Sequence, residues 1–188
     1  MEAFFVSTGI VALAEMGDKT QLLALVLAAR FKKPWPIVLG IFVATVLNHA
    51  LAGALGAWVS TQLSPQTLRW ILGASFLLMA VWMLIPDQLD DADTPRKSAR
   101  LGVLATTVVV FFIAEMGDKT QIATVMLAAR YKIYFVVVAG TTLGMMLANA
   151  PVVWFGERIT RLMPLRIVRL VSALVFAVLG LLALVLKA

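Results

Sequence analysis

The sequence predicts an all-α membrane protein of six transmembrane helices, arranged as two inverted-topology three-helix repeats. Three observations predict it. Of 188 residues, 62% are hydrophobic and only 14% charged, with a mean hydropathy of +0.97, whereas soluble domains sit at about half apolar and about a quarter charged. The polar residues gather in short breaks between long apolar runs. The octapeptide AEMGDKTQ occurs twice, at Ala14–Gln21 and Ala114–Gln121, identical at every position and 100 residues apart.

A hydrocarbon core about 30 Å thick is crossed by about 20 residues of helix. The first run, 3–29, follows Glu2 rather than a basic segment and is too long for a signal-peptide core, so it is read as a span. Lys32-Lys33-Pro34 separates it from a second run, 35–60, and Ser64-Pro65 precedes a third, 67–86. The polar stretch Pro86–Arg100 then divides the chain. A fourth run covers 102–129, Arg130, Tyr131 and Lys132 break it from a fifth at 133–157, and Pro164 precedes the sixth at 166–186. Cysteine is absent, which excludes disulfides and thiolate metal sites. The net charge of +6 lies in loop clusters and not in one basic face, so the sequence does not read as a nucleic-acid binder.

The offset of 100 extends well beyond the octapeptide. It sets Ala28-Ala29-Arg30 on Ala128-Ala129-Arg130, Gly40 on Gly140, Ala44 on Gly144, Leu47 on Leu147, His49 on Asn149 and Gly56 on Gly156. The expected organisation is a first three-helix repeat at 1–86, a cytoplasmic linker at 87–101 and a second repeat at 102–188. Three spans per unit is an odd number, so the units must lie in opposite orientations about a pseudo-two-fold axis in the membrane plane. Lysine and arginine counts fix the sense of insertion. The loops after spans one, three and five hold ten basic residues, and the other side holds four, Arg69, Arg130, Lys132 and Lys187. This bias places both termini on the periplasmic side of an inner membrane.

Each octapeptide puts charge at mid-membrane. In a continuous helix Glu15, Asp18 and Lys19 share one face, as do Glu115, Asp118 and Lys119. Placing one such charge at the bilayer centre costs about 2.5–3.5 kcal/mol even on the lenient insertion scale, so the six must meet inside the bundle. Four carboxylates and two ammonium groups leave a net charge of −2. One divalent cation neutralises that, and so do two protons, which is the electrostatic core of an exchanger. Glu15, Asp18, Glu115 and Asp118 are therefore the expected metal ligands and proton carriers, with Lys19 and Lys119 as counter-ions. Oxygen ligands favour hard cations such as Mn²⁺, Ca²⁺ or Mg²⁺. Gly17 and Gly117 permit a break between the carboxylates, where unwound carbonyls add ligands. Thr20, Thr120, Gln21 and Gln121 are candidate neutral oxygen donors.

Weaker candidates stand nearby. His49 and Asn149 occupy one repeat position and are possible pathway residues, although a polar side chain bonding between helices is the commoner case. Asn48 faces Ala148 under the offset and lacks that symmetry argument. Gly40/Ala44 and Gly140/Gly144 read as small-residue packing faces. The methionines and tryptophans read as core and interface anchors, Met16 and Met116 included. Asp87, Asp90, Asp91 and Asp93 lack EF-hand spacing and read as a solvated linker.

The duplicated Glu-x-Gly-Asp-Lys-Thr motif, in spans one and four of a six-span chain, resembles the GDT family of cation/proton exchangers. That family includes MneA-type bacterial manganese exporters and the Golgi calcium/manganese transporters of eukaryotes. The resemblance covers essentially the whole chain. It implies Mn²⁺ or Ca²⁺ exported from the cytoplasm against protons, with Glu15, Asp18, Glu115 and Asp118 as ligands and the units rocking about a fixed site. It implies no cofactor, the metal being substrate, and no partner beyond ion, protons and bilayer, the oligomeric state being left open. The competing expectations are a cation channel with a carboxylate constriction and an exporter of an organic cation such as a basic amino acid. No nucleophile–base constellation or HExxH pair suggests an enzyme.

Overall fold

A computed structural model of the chain describes residues 1–85, 102–156 and 164–185. Eight helices make up these residues: α1 (Glu2–Glu15), α2 (Lys19–Phe31), α3 (Pro34–Gln62), α4 (Pro65–Trp82), α5 (Val103–Glu115), α6 (Lys119–Tyr131), α7 (Tyr134–Phe155) and α8 (Leu165–Val185). The all-α class is as expected. Three helices, α3, α7 and α8, are each long and apolar enough to cross a membrane. The linker aspartates Asp87, Asp90, Asp91 and Asp93 lie outside the described residues.

The runs expected to form spans one and four are not continuous helices. Each divides at the repeated motif into half-helices of 13 or 14 residues, each about 20 Å long. Met16 turns extended (φ −65°, ψ 111°), Gly17 takes φ +82°, and Asp18 is extended as the N-cap of α2. The second copy repeats this closely: Met116 at ψ 120°, Gly117 at φ +76°, Asp118 as N-cap of α6. Positive φ crowds the Cβ of any other residue against its carbonyl, so glycine is the residue that permits this break. The single helical face expected for Glu15, Asp18 and Lys19 therefore does not exist. Glu15 closes one helix, and Asp18 and Lys19 open the next.

The remaining boundaries follow local chemistry. The Ser64 hydroxyl accepts from the Thr67 N–H at 3.1 Å and Pro65 begins α4, a side-chain N-cap followed by a residue with no N–H to satisfy. α2 and α6 end alike, with Lys32 (φ 50°) and Lys132 (φ 55°) left-handed and donating back to Ala28 and Ala128 carbonyls at 3.0 Å.

Packing crosses between the two halves of the chain. A Cβ built on Gly40 would lie 2.6 Å from Cβ of Thr107, which holds α3 close on α5. A Cβ on Gly140 would lie 2.7 Å from the Phe4 carbonyl oxygen, which holds α7 equally close on α1. Phe76 and Phe176 meet where α4 crosses α8, their centroids 6.0 Å apart. The Tyr131 hydroxyl at the end of α6 donates to Glu2 at the start of α1, at 3.3 Å. Trp35, starting α3, stacks edge-on against Trp154, near the end of α7. Large apolar side chains such as Phe5, Leu51, Leu78 and Leu174 are exposed around the outside. So extensive an apolar surface suits lipid and not water.

Candidate cation site

The two breaks face each other. Glu15 and Glu115 are fully buried, Asp18, Asp118 and Lys119 nearly so. One carboxylate oxygen from each of Glu15, Glu115 and Asp118 lies within 4.8 Å of the other two. A hard cation with metal–oxygen distances of about 2.2–2.6 Å spans ligand oxygens up to about 5 Å apart, so a single ion fits between these three. Three of the four expected acids meet here; the fourth, Asp18, is not among these oxygens and accepts from Lys119, the residue that follows Asp118.

The lysines pair across the copies. Lys119 Nζ donates to Asp18 Oδ1 at 3.5 Å, and Lys19 Nζ stands 3.9 Å from Asp118 Oδ1. With each aspartate facing a lysine from the other copy, the uncompensated charge of −2 falls on Glu15 and Glu115. Neutral donors hold one oxygen of each glutamate. Glu15 Oε2 accepts from the Thr20 hydroxyl at 2.6 Å and from Asn149 Nδ2 at 3.1 Å. Glu115 Oε2 accepts from the Thr120 hydroxyl at 3.1 Å. The other oxygens, Oε1 of Glu15 and Oε1 of Glu115, are buried with no hydrogen-bond partner. A buried carboxylate oxygen without a donor is costly, and an ion or a proton is the species that satisfies it.

Gln21 and Gln121 do something other than offer oxygen to this centre. Gln21 Oε1 accepts from the Gly17 N–H at 3.0 Å, and Gln121 Oε1 from the Gly117 N–H at 2.7 Å. Each glutamine reaches back over the break, satisfying an N–H that the interrupted helix leaves over. Its amide nitrogen then anchors the break to the other half: Gln21 Nε2 donates to the Ala148 carbonyl, and Gln121 Nε2 to Asn48 Oδ1. Asn48 in turn donates to the Phe112 carbonyl at 3.1 Å. The offset conceals Asn48 because its counterpart, Ala148, does the same work with a backbone oxygen. A signal for it existed in the adjacent His49, but not in the symmetry. Met116 is 60% exposed, unlike the buried carboxylates.

A broken-helix bundle enclosing buried carboxylates, with an uncompensated charge of −2, is the architecture of a secondary transporter for cations. The family model described as "Divalent cation/proton antiporter GDT1" matches residues 3–91 and 103–188. The chain belongs to that family: it is an antiporter in class, not an enzyme, and its metal is cargo and not a cofactor. It is 50% identical over 96% of its length, and 90% of the relative's, to a Vibrio cholerae protein named "Putative manganese exporter". It is 26% identical over 94% of its length to a GDT1-like protein of Synechocystis, covering 93% of that chain. A rice GDT1-like protein is 28% identical over 76% of this chain and 58–59% of its own length. No solved structure matches.

Proposed function

We propose that the protein exports Mn²⁺ from the cytoplasm in exchange for protons, by alternating access around Glu15, Asp18, Glu115 and Asp118. The observation that carries this reading is the buried cluster of Glu15, Glu115 and Asp118, one carboxylate oxygen of each within 4.8 Å of the others, in which both glutamates also leave an oxygen without a hydrogen-bond partner. Metal loading discharges the site with one M²⁺, and reloading discharges it with two H⁺. An unfilled −2 centre is too poorly solvated to change sides, which couples the two flows. Manganese is favoured over calcium by the name of the Vibrio relative, and Ca²⁺ is the second candidate.

In this reading the chain makes six spans, α1–α2 and α5–α6 counting as one each, in two inverted repeats at 1–86 and 102–188 joined by the linker 87–101. Support comes from reciprocity. Lys19 meets Asp118 as Lys119 meets Asp18, and Phe76 meets its own counterpart, Phe176. A two-fold axis produces such self-complementary pairs. The Tyr131–Glu2 contact joins the end of one broken span to the start of the other, as opposite orientation requires. Because α1 packs on α7 and α5 on α3, the bodies that rock are interleaved sets of helices. The basic-residue bias orients the protein in an inner membrane with both termini periplasmic.

Proteoliposomes loaded with a pH-sensitive dye provide the test. Added Mn²⁺ should drive saturable proton efflux, abolished in Glu15→Gln and Glu115→Gln. Metal flux without proton movement, large unitary currents, or competition by lysine or arginine would each replace this mechanism.

A further inference from the structure

The two halves differ at the position beside their glutamates. On α7, Met145 and Asn149 lie one turn apart and are buried. Asn149 Nδ2 is engaged by Glu15 Oε2 at 3.1 Å, the Met145 carbonyl at 3.2 Å and Met145 Sδ at 3.0 Å. The corresponding residues on α3 are Thr45 and His49, both fully buried. Neither the Thr45 hydroxyl nor either ring nitrogen of His49 has a hydrogen-bond partner. Three orphaned polar atoms on one helix face are uncommon in a folded interior, where such groups are paired with protein, water or an ion.

The neighbours of His49 locate it. On α7 the Ala148 carbonyl takes Gln21 Nε2, and the next residue, Asn149, reaches Glu15. On α3 the Asn48 side chain takes Gln121 Nε2 and also grips the Phe112 carbonyl, one turn before Glu115. The next residue is His49. Under the repeat relation, the step from Ala148 to Asn149, which reaches Glu15, corresponds to the step from Asn48 to His49 on the Glu115 side, where Glu115 Oε1 is the second orphaned carboxylate oxygen; His49 stands outside the cluster of Glu15, Glu115 and Asp118 as it lies here.

We infer that His49 is a nitrogen ligand of the transported cation, engaged when the ion sits on the Glu115 side of the site, and that it sets ion preference. This rests on the exchange reading above. An amide at this position would serve if only a donor to the glutamate were needed, since Asn149 serves in that way. Imidazole differs by presenting a lone pair on neutral nitrogen, which transition-series cations accept readily and Ca²⁺ and Mg²⁺ accept poorly. A purely carboxylate site has little power to separate Mn²⁺ from those two abundant ions. With one ring nitrogen on the metal, the other carries the hydrogen.

The test uses the full-length protein in nanodiscs and proteoliposomes, wild type against His49→Asn, with thermal unfolding to confirm that the variant folds. Mn²⁺ bound to the wild type should show electron spin-echo modulation from directly coordinated ¹⁴N, and His49→Asn should lose it. In transport, the Mn²⁺:Ca²⁺ ratio of kcat/KM should fall about tenfold or more in the variant, while Ca²⁺/H⁺ exchange persists. Absence of ¹⁴N modulation in the wild type, an unchanged ratio, or equal loss of both ions in the folded variant overturns the inference and leaves exchange standing. A wild type that moves no metal against protons overturns the exchange reading, and this inference with it.

Discussion

Lys119 and Asp18 belong to different copies of the repeated octapeptide, yet Nζ of one lies 3.5 Å from Oδ1 of the other with both side chains almost wholly buried. Lys19 and Asp118 return the contact at 3.9 Å. The lysines thus neutralise the aspartates of the opposite copy, and the glutamates alone carry charge that cargo must balance. A duplicated motif achieves this only when its two copies meet face to face.

The pairing predicts an unusual coupling pattern. Neutralising one member of a buried pair strands the other, and neutralising both does not. In a double-mutant cycle of unfolding in detergent, Asp18→Asn with Lys119→Met should couple by about 1–3 kcal/mol. Asp18→Asn with Lys19→Met should couple less, although those residues are adjacent in sequence. The reverse order would mean that the ion pairs lie within each motif.

The break itself is testable at Gly117, because a Cβ there meets nothing within 4 Å while φ is +76°. Gly117→Ala therefore isolates backbone conformation from packing, and should cost about 1–2 kcal/mol in thermal unfolding. Gly117→Asn should cost less, since asparagine tolerates left-handed backbone. Gly17→Ala should cost more than Gly117→Ala, because its Cβ would also lie 2.9 Å from Leu165 Cδ2. Equal effects at the two sites would show that the Leu165 side chain moves aside.

How far these features were legible depends on what each requires. A glycine between two acids in a long apolar run announced a possible interruption. That Met16 turns extended and Asp18 opens a new helix accompanies Gln21 bonding back to Gly17 and onward to the Ala148 carbonyl, a tertiary contact that a linear pattern does not encode. That the motif acids meet was legible, and Glu15, Glu115 and Asp118 do cluster, because charge in an apolar run has nowhere else to go. Cross-pairing of the lysines was not, since i, i+4 spacing offered an equally good local partner. Asn48 was set aside because symmetry compares side chains, and its counterpart contributes a carbonyl.

Thr20 holds Glu15 through the shortest bond in the site, 2.6 Å from hydroxyl to Oε2. That bond fixes one oxygen, while Oε1 has no hydrogen-bond partner. Thr20→Val keeps the shape and removes the donor, so Mn²⁺-driven proton flux should fall about tenfold, with rescue by Thr20→Ser. Flux unchanged in Thr20→Val would place the hydroxyl outside the working site. Loss in both variants with normal unfolding would show that the methyl group is needed as well as the hydroxyl.

Helix contact and site geometry should fail together at Gly140. Its missing Cβ lets α7 lie on the backbone of α1, with the Phe4 carbonyl 2.7 Å from where a methyl would be. The opposing atom is main chain and cannot swing aside, so Gly140→Ala must separate the helices, at about 1–3 kcal/mol. Asn149 lies farther along α7 and reaches Glu15 at the end of α1, so the same separation lengthens their 3.1 Å bond. Gly140→Ala should therefore lower both thermal stability and metal-driven proton flux. Gly9→Ala is the control: it sits on α1 with nothing within 4 Å of an added Cβ, and should leave both measurements near wild type. A destabilised Gly140→Ala with full flux would show that the Asn149–Glu15 bond is dispensable to exchange.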